Sequence, residues 1–236
     1  MLQSILRMVM PRQCGLCDAL TESDTGLCPT CWADTDYAFG AICTCCGVML
    51  VGEGDGHCDD CLATPRDWDQ GRTVFGYSGA GRKMVLGLKH GDRHDLVPML
   101  SRQMARVAAP LMEPDTILLP IPLHWTRFLK RRYNQSALLA QGIAKRSAVQ
   151  VIEDGLLRTV RTKTTQGMTR DERIAAQNGT IAVNPKRTAI ISNRPVILID
   201  DVMTTGATLG AAAQAVHAAG ARRVCVLTLA RAVKDP

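Results

Sequence analysis

In VILIDDVMTTGAT, Val196 to Thr208, four apolar residues run straight into two adjacent acids, Asp200 and Asp201, and then into a loop of Thr and Gly. Val196 to Ile199 reads as a strand buried on both faces, the pattern of a parallel sheet. Ligands of such sheets sit beyond the carboxyl ends of the strands, which is where the two acids fall. Thr204 to Thr208 then leads into a helix start, where free N–H groups and the helix dipole favour an anion. Gly206 permits close backbone approach, and the three threonines add hydroxyl donors. Acceptors at the strand end and donors just after it fit one ligand, a sugar phosphate. Asp200 and Asp201 would accept from the ribose 2′- and 3′-hydroxyls, and the loop Thr204, Thr205, Gly206, Ala207 and Thr208 would hold the 5′-phosphate. A helix cap with a companion surface charge accounts for one Asp but not for the pair.

Outward from this stretch, strands and helices alternate. Thr73 to Tyr77 and Thr116 to Ile121 read as strands, Arg82–Lys89, Leu96–Ala108 and Gln135–Arg146 as helices. After the opening stretch, Leu209 to Ala219 is an alanine-rich helix stopped by Gly220, and Arg223 to Leu229 is a last strand. The pattern predicts an α/β fold, a parallel sheet flanked by helices. Cys225, inside the last strand, reads as a core residue, and His217 as a packed or solvent-facing helix residue. A phosphate-binding G-x-x-x-x-G-K-[ST] is absent, and Gly79-Ala-Gly81-Arg lacks the third glycine of a dinucleotide fingerprint.

A chain of 236 residues allows one such domain plus a small annex. Charge and cysteine content both divide it near Pro65, giving an expected head at 1–64 and a body at 65–236. The head carries 2 basic and 9 acidic residues, net −7, and the body 26 basic and 13 acidic, net +13. Nine of ten cysteines lie between Cys14 and Cys61. Cys14/Cys17, Cys28/Cys31, Cys43/Cys46 and Cys58/Cys61 form four C-x-x-C knuckles, a spacing that turns two sulfurs toward one tetrahedral ion. They predict one or two closed, structural Zn²⁺ sites. Sequence-order and interleaved pairings of the knuckles have the same spacings. Cys45 is a spare, Gly47 suits the turn after its knuckle, and His57 is an alternative ligand whose simpler reading is a loop residue. A disulfide framework fits less well, because the rest of the chain has one cysteine and the start, interrupted by Arg7, does not read as a signal peptide. That start reads as a short amphipathic helix. No apolar run is long enough to span a bilayer, and a cytoplasmic location is expected. An acidic head bearing zinc thiolates repels phosphate, so it is expected to dock on the basic body or on a partner protein.

Val196–Thr208 resembles the phosphoribosyl pyrophosphate (PRPP) motif of the type I phosphoribosyltransferases at every defining position. With the cysteine-rich head, the chain is similar to the competence protein F (ComF) family, whose members carry a double zinc ribbon before such a domain. Leu88-Lys-His-Gly-Asp, Leu119-Pro-Ile-Pro-Leu123, Arg131-Arg-Tyr-Asn-Gln135 and Arg161-Thr-Lys-Thr-Thr-Gln166 extend the likeness. The family pattern often has Tyr where this chain has His90. The resemblance implies PRPP binding with Mg²⁺. It makes Pro120, Ile121 and Pro122 the pyrophosphate loop, and Arg161–Gln166 part of a closing loop. Lys89, Arg161 and Lys163 become candidates for stabilising the leaving group. Arg127, Lys130, Arg131, Arg132 and Tyr133 mix basic and aromatic residues, which suits single-stranded DNA, although a solvated helix face explains the basic ones equally. Three functions are then open: a PRPP-binding factor in DNA uptake or handling, an active phosphoribosyltransferase with an unidentified acceptor, and a PRPP-sensing scaffold that recruits a protein through the zinc ribbon.

Overall fold

The computed structural model describes residues 12–22, 26–52, 54, 56–123, 132–159 and 179–232. The expected N-terminal helix lies outside them, as do Arg127, Lys130, Arg131, Arg161 and Lys163. The head holds two one-turn helices, α1 (Pro29–Ala33) and α2 (Asp59–Ala63). The body continues with β1 (Gln70–Gly76), α3 (Gly79–His90), α4 (Val97–Ala108), β2 (Ile117–Pro120), α5 (Gln135–Ser147) and β3 (Gln150–Val151). It closes with β4 (Leu156–Arg158), β5 (Ile181–Val183), α6 (Thr188–Ile191), β6 (Pro195–Met203), α7 (Ala207–Ala218) and β7 (Arg223–Arg231). No helix among the described residues is long and apolar enough to cross a membrane.

Five strands form a parallel sheet in the order β1-β7-β6-β2-β3, and β4 and β5 pair antiparallel in a second, two-stranded sheet. Both faces of β6 and β7 are covered, which is why their sequences run apolar without alternation. Position still sorts the faces. Ile197, Ile199, Cys225 and Leu227 pack with Met84, Leu88, Leu100 and Leu139 from α3, α4 and α5. Val196, Leu198, Val224 and Val226 pack with Leu209, Ala212, Ala213 and Val216 of α7. Helix α5, after β2, thus covers one face, and α7, after β6, the other. Where neighbouring strands send their helices to opposite faces, a crevice opens between their carboxyl ends.

Several boundaries differ from the sequence reading, and two of them have a clear physical reason. Strand β6 runs on to Met203, because Asp200 still pairs in register with Thr228 and Val202 with Ala230. The two acids are therefore strand residues. Helix α3 begins at Gly79, three residues early. Glycines in its first turn conceal the start. A Cβ at Gly81 would lie 2.8 Å from both Gly76 O and Phe75 Cδ2, so the close approach excludes the better helix formers.

The head lies along β1, the edge strand. Gly76 N–H donates to Asp36 O at 2.7 Å, Ala38 N–H to Val74 O at 3.0 Å and Gly71 N–H to Thr44 O at 2.9 Å. These bonds satisfy backbone groups that an open edge would expose. Tyr37 stacks edge-on to Phe75 with ring centres 6.1 Å apart. Cys14 and Cys28 join the apolar cluster on the α3–α5 face, while Cys43, Cys46 and Cys61 join the cluster on the α7 face. The two halves of the head straddle β1, and packing is continuous across residues 64–65. Contact is close at Gly71, where a Cβ would overlap Cys45 O and lie 2.8 Å from Val226 Cγ2. Gly71→Ala is expected to cost about 3 kcal/mol in urea unfolding. Gly56→Ala, whose nearest neighbour would be Leu50 Cδ1 at 3.8 Å, should stay within about 0.5 kcal/mol.

Candidate functional site

Around the adjoining ends of β2 and β6 lie Lys89, Asp200 and Asp201, with Pro120–Pro122 and Thr204–Thr208 where the two strands run out. Asp201 is buried and its Oδ1 lies 3.1 Å from Lys89 Nζ, on the last turn of α3. Asp200 Oδ1 accepts from Ser136 Oγ at 3.1 Å and from the Asp201 N–H at 2.9 Å. Burial first, and then the charge of Asp201, push the Asp200 carboxyl up to about 7, against the pull of Lys89. The pair thus avoids carrying two full charges at neutral pH. Beyond β6, Gly206 takes φ +82°, Thr205 Oγ1 accepts from the Ala207 N–H at 3.3 Å, and α7 begins. First-turn N–H groups of a helix have no intrahelical partner, so this loop offers donors beside the acids.

The end of β2 adjoins that of β6. Pro120 pairs with Ile199, and Ile121 N–H donates to Ile199 O at 2.9 Å. The segment before α5 fastens the site together. Asn134 Oδ1 caps α5 by accepting from Ser136 N–H at 3.0 Å, while its Nδ2 donates to Ile121 O at 3.0 Å. Tyr133 Oη donates to Leu88 O at 2.7 Å, and Gln135 Nε2 donates to the same carbonyl at 3.4 Å. Tyr133, half-buried, also packs edge-on against His94, ring centres 4.1 Å apart. Arg132 is exposed, and its φ is +65°. Ser136 was missed from sequence, since a serine opening a helix reads only as a cap. Its position directly after Tyr-Asn-Gln was the available signal.

The head brings the knuckles together in sequence order. The sulfurs of Cys14, Cys17, Cys28 and Cys31 lie within 4.8 Å of one another, and so do those of Cys43, Cys46, Cys58 and Cys61. Cys17 and Cys28 sulfurs are 3.6 Å apart, and Cys46 and Cys58 sulfurs 3.7 Å. Thiolates bound at about 2.3 Å to one tetrahedral Zn²⁺ stand roughly 3.8 Å apart, whereas a disulfide holds them at about 2.05 Å. Backbone N–H groups of Cys31 and Cys58 reach Cys28 Sγ and Cys43 Sγ, each at 3.4 Å, softening thiolate charge. Both donor sets therefore fit a structural Zn²⁺ with no open coordination position. Cys45 and the exposed His57 stand outside these sets.

Two outcomes follow from this geometry. In the unfolded chain Asp200 ionises at about pH 4. In the folded chain its pKa is raised, so the native state keeps a proton that the unfolded state has lost. That contribution to stability is complete below pH 4 and lost as pH rises to about 7. Asp200→Asn keeps the acceptor for Ser136, so it should raise the Tm of the ligand-free protein. The gain should grow between pH 4 and 7 and level off above, as read by thermal melts. Metal analysis of purified protein should find two zinc ions per chain, and Cys46→Ser should lower this to one.

Residues 5–62 match the family model of the double zinc ribbon domain, and residues 134–235 that of the phosphoribosyl transferase domain. The chain is 30% identical over 234 residues to the DNA utilization protein YhgH of Escherichia coli O157:H7, covering 95% of this chain and 99% of that protein. It is 29% identical over 232 residues to the protein of the same name from Salmonella typhi, with 95% and 99% covered. Competence protein F of Haemophilus influenzae is 28% identical over 184 residues, 75% of this chain and 79% of that one. Zinc-fitting cysteine centres ahead of a parallel α/β sheet are the architecture that these matches describe. The chain belongs to the family of DNA utilization protein YhgH and competence protein F, a double zinc ribbon followed by a phosphoribosyltransferase domain.

Proposed function

We propose that this protein binds PRPP in the crevice between β2 and β6 and that the bound site serves the handling of DNA. One observation carries the reading. Asp200 and Asp201 stand at the end of β6, next to Pro120, Ile121 and Pro122 at the end of β2, with the donor loop Thr204–Thr208 immediately after. In this reading the acids accept from the ribose hydroxyls, the loop takes the 5′-phosphate, and Pro120–Pro122 line the pyrophosphate. Lys89, already beside Asp201, supplies positive charge on the pyrophosphate side, with Arg161 and Lys163 joining it. Mg²⁺ arriving with pyrophosphate would favour ionisation of Asp200, and two carboxylates against one lysine would then suit the cation. When bound with pyrophosphate, Mg²⁺ would neutralise charge on that group.

The DNA role rests on the names that the relatives carry and on the +13 body, since basic surface attracts phosphate backbones. Cysteine centres suited to zinc are in keeping with a reducing, cytoplasmic setting. A second reading, a PRPP-responsive scaffold, is favoured by the head's surface. Leu20, Phe39, Met49, Val51 and Leu62 are exposed there, against Leu157 alone among described body residues, and exposed apolar side chains of this kind suit a protein partner.

Calorimetry with Mg²⁺ and PRPP should show binding that the double substitution Asp200→Ala, Asp201→Ala abolishes; retained affinity would sink the site. Single-stranded oligonucleotide should bind at low ionic strength and weaken as salt rises, and no binding at low salt removes the DNA role. Pyrophosphate release with an added acceptor would establish transfer.

A further inference from the structure

We propose that the second cysteine centre, Cys43, Cys46, Cys58 and Cys61, sets the conformation of the loop Thr204–Thr208 through two positioning residues, Arg66 and Arg231. The proposal deepens the reading of that loop as the phosphate wall of the crevice and rests on it.

Three contacts run from the centre to three successive loop residues. Arg231, 3% exposed, donates from Nη1 to Thr204 O and, at 3.3 Å, to Met203 O. Its Nη2 lies 3.4 Å from Oδ2 of Asp60, in the two-residue gap between Cys58 and Cys61. Arg66 Nη1 donates to Thr205 O at 2.6 Å. Its Nε and Nη2 are buried, and no nitrogen or oxygen partner among the described residues reaches them. The Arg66 guanidinium carbon lies 5.6 Å over the ring of Trp68. Trp68, held by its Nε1–H on Cys45 O at 2.7 Å, lies under Gly206, where a Cβ would come within 2.9 Å of its Cη2.

The chemistry explains why arginine occupies both places. Four thiolates on one Zn²⁺ leave a net charge of −2, and two guanidinium groups balance it. Without that charge, the half-buried Arg66 would lose its compensation and the buried Arg231 would be left with Asp60 alone. A guanidinium can face the thiolates along one edge and still donate to a carbonyl from another, which a lysine ammonium cannot reproduce. The peptide is planar and trans, so a carbonyl drawn back toward the head turns the following N–H the opposite way. Arg231 and Arg66 hold Thr204 O and Thr205 O toward the head. The N–H groups of Thr205 and Gly206 are thereby aimed away from it, as anion binding requires.

Amide hydrogen exchange on the ligand-free, zinc-loaded full chain reads the loop directly. Arg66→Met and Arg231→Met should each speed exchange at residues 204–208 by about tenfold, with Val196–Ile199 unchanged. Arg66→Lys keeps a charge beside the thiolates but loses the fork. It should retain both zinc ions while loop exchange still rises, so a folding failure of the methionine variants does not shield the idea. Coupling is reciprocal, so in the unaltered protein Mg²⁺ and PRPP should slow release of one of the two zinc ions to a chromophoric chelator. Unchanged loop exchange in Arg66→Lys overturns the proposal, as does equal protection of both ions, or of neither, while PRPP binds. If PRPP does not bind at all, the PRPP site itself fails, and the exchange measurement still decides the coupling.

Discussion

Asp200 and Asp201 stand one peptide apart at the end of a strand covered on both faces, so neither carboxylate can rely on water alone. Strand alternation directs Asp201 to the face that carries α3, where Lys89 waits at the helix end. Asp200 instead gains a hydroxyl from the start of α5 and keeps a raised pKa. Two helices from different crossovers must therefore end at the same point. The Tyr133–Asn134–Gln135 segment brings them there by tying Leu88, Ile121 and Ser136 together.

The sheet's centre was legible because burial on both faces leaves an unmistakable mark. Val196–Ile199 and Val224–Leu229 tolerate no polar residue other than Thr228, which bonds to Thr73 inside the sheet. The knuckles were legible for a different reason, since tetrahedral coordination imposes its own spacing. Short strands such as β3 and β4 were not, because two or three residues carry no periodicity. The start of α3 was hidden by glycines whose purpose is close packing with Phe75 and with head residues far away in sequence.

Within the site, the acids and the donor loop could be read locally, whereas their supports could not. Arg66 belongs to a segment that looks like a linker, and Arg231 looks like a polar residue ending an apolar strand. Each acquires its role from contacts more than twenty residues away in the chain. Long-range pairing of this kind leaves no local pattern. A buried arginine is nonetheless a costly choice, and Arg231 just beyond the apolar run of β7 was the available hint.

The cover over β1 also bears on how the chain leaves the ribosome. Strand β1 pairs with β7, from Gln70 with Cys225 to Gly76 with Arg231, so its partner in the sheet is made only after all the intervening elements. At ordinary elongation rates that interval is on the order of ten seconds. Throughout it, a strand with the apolar run Val74–Phe75 would present two unpaired edges to other nascent chains. The head emerges first and can close around zinc from local sequence alone. It is then in place to shield one edge of β1 from the moment that strand appears, so the head acts as a temporary neighbour for β1 until β7 is made.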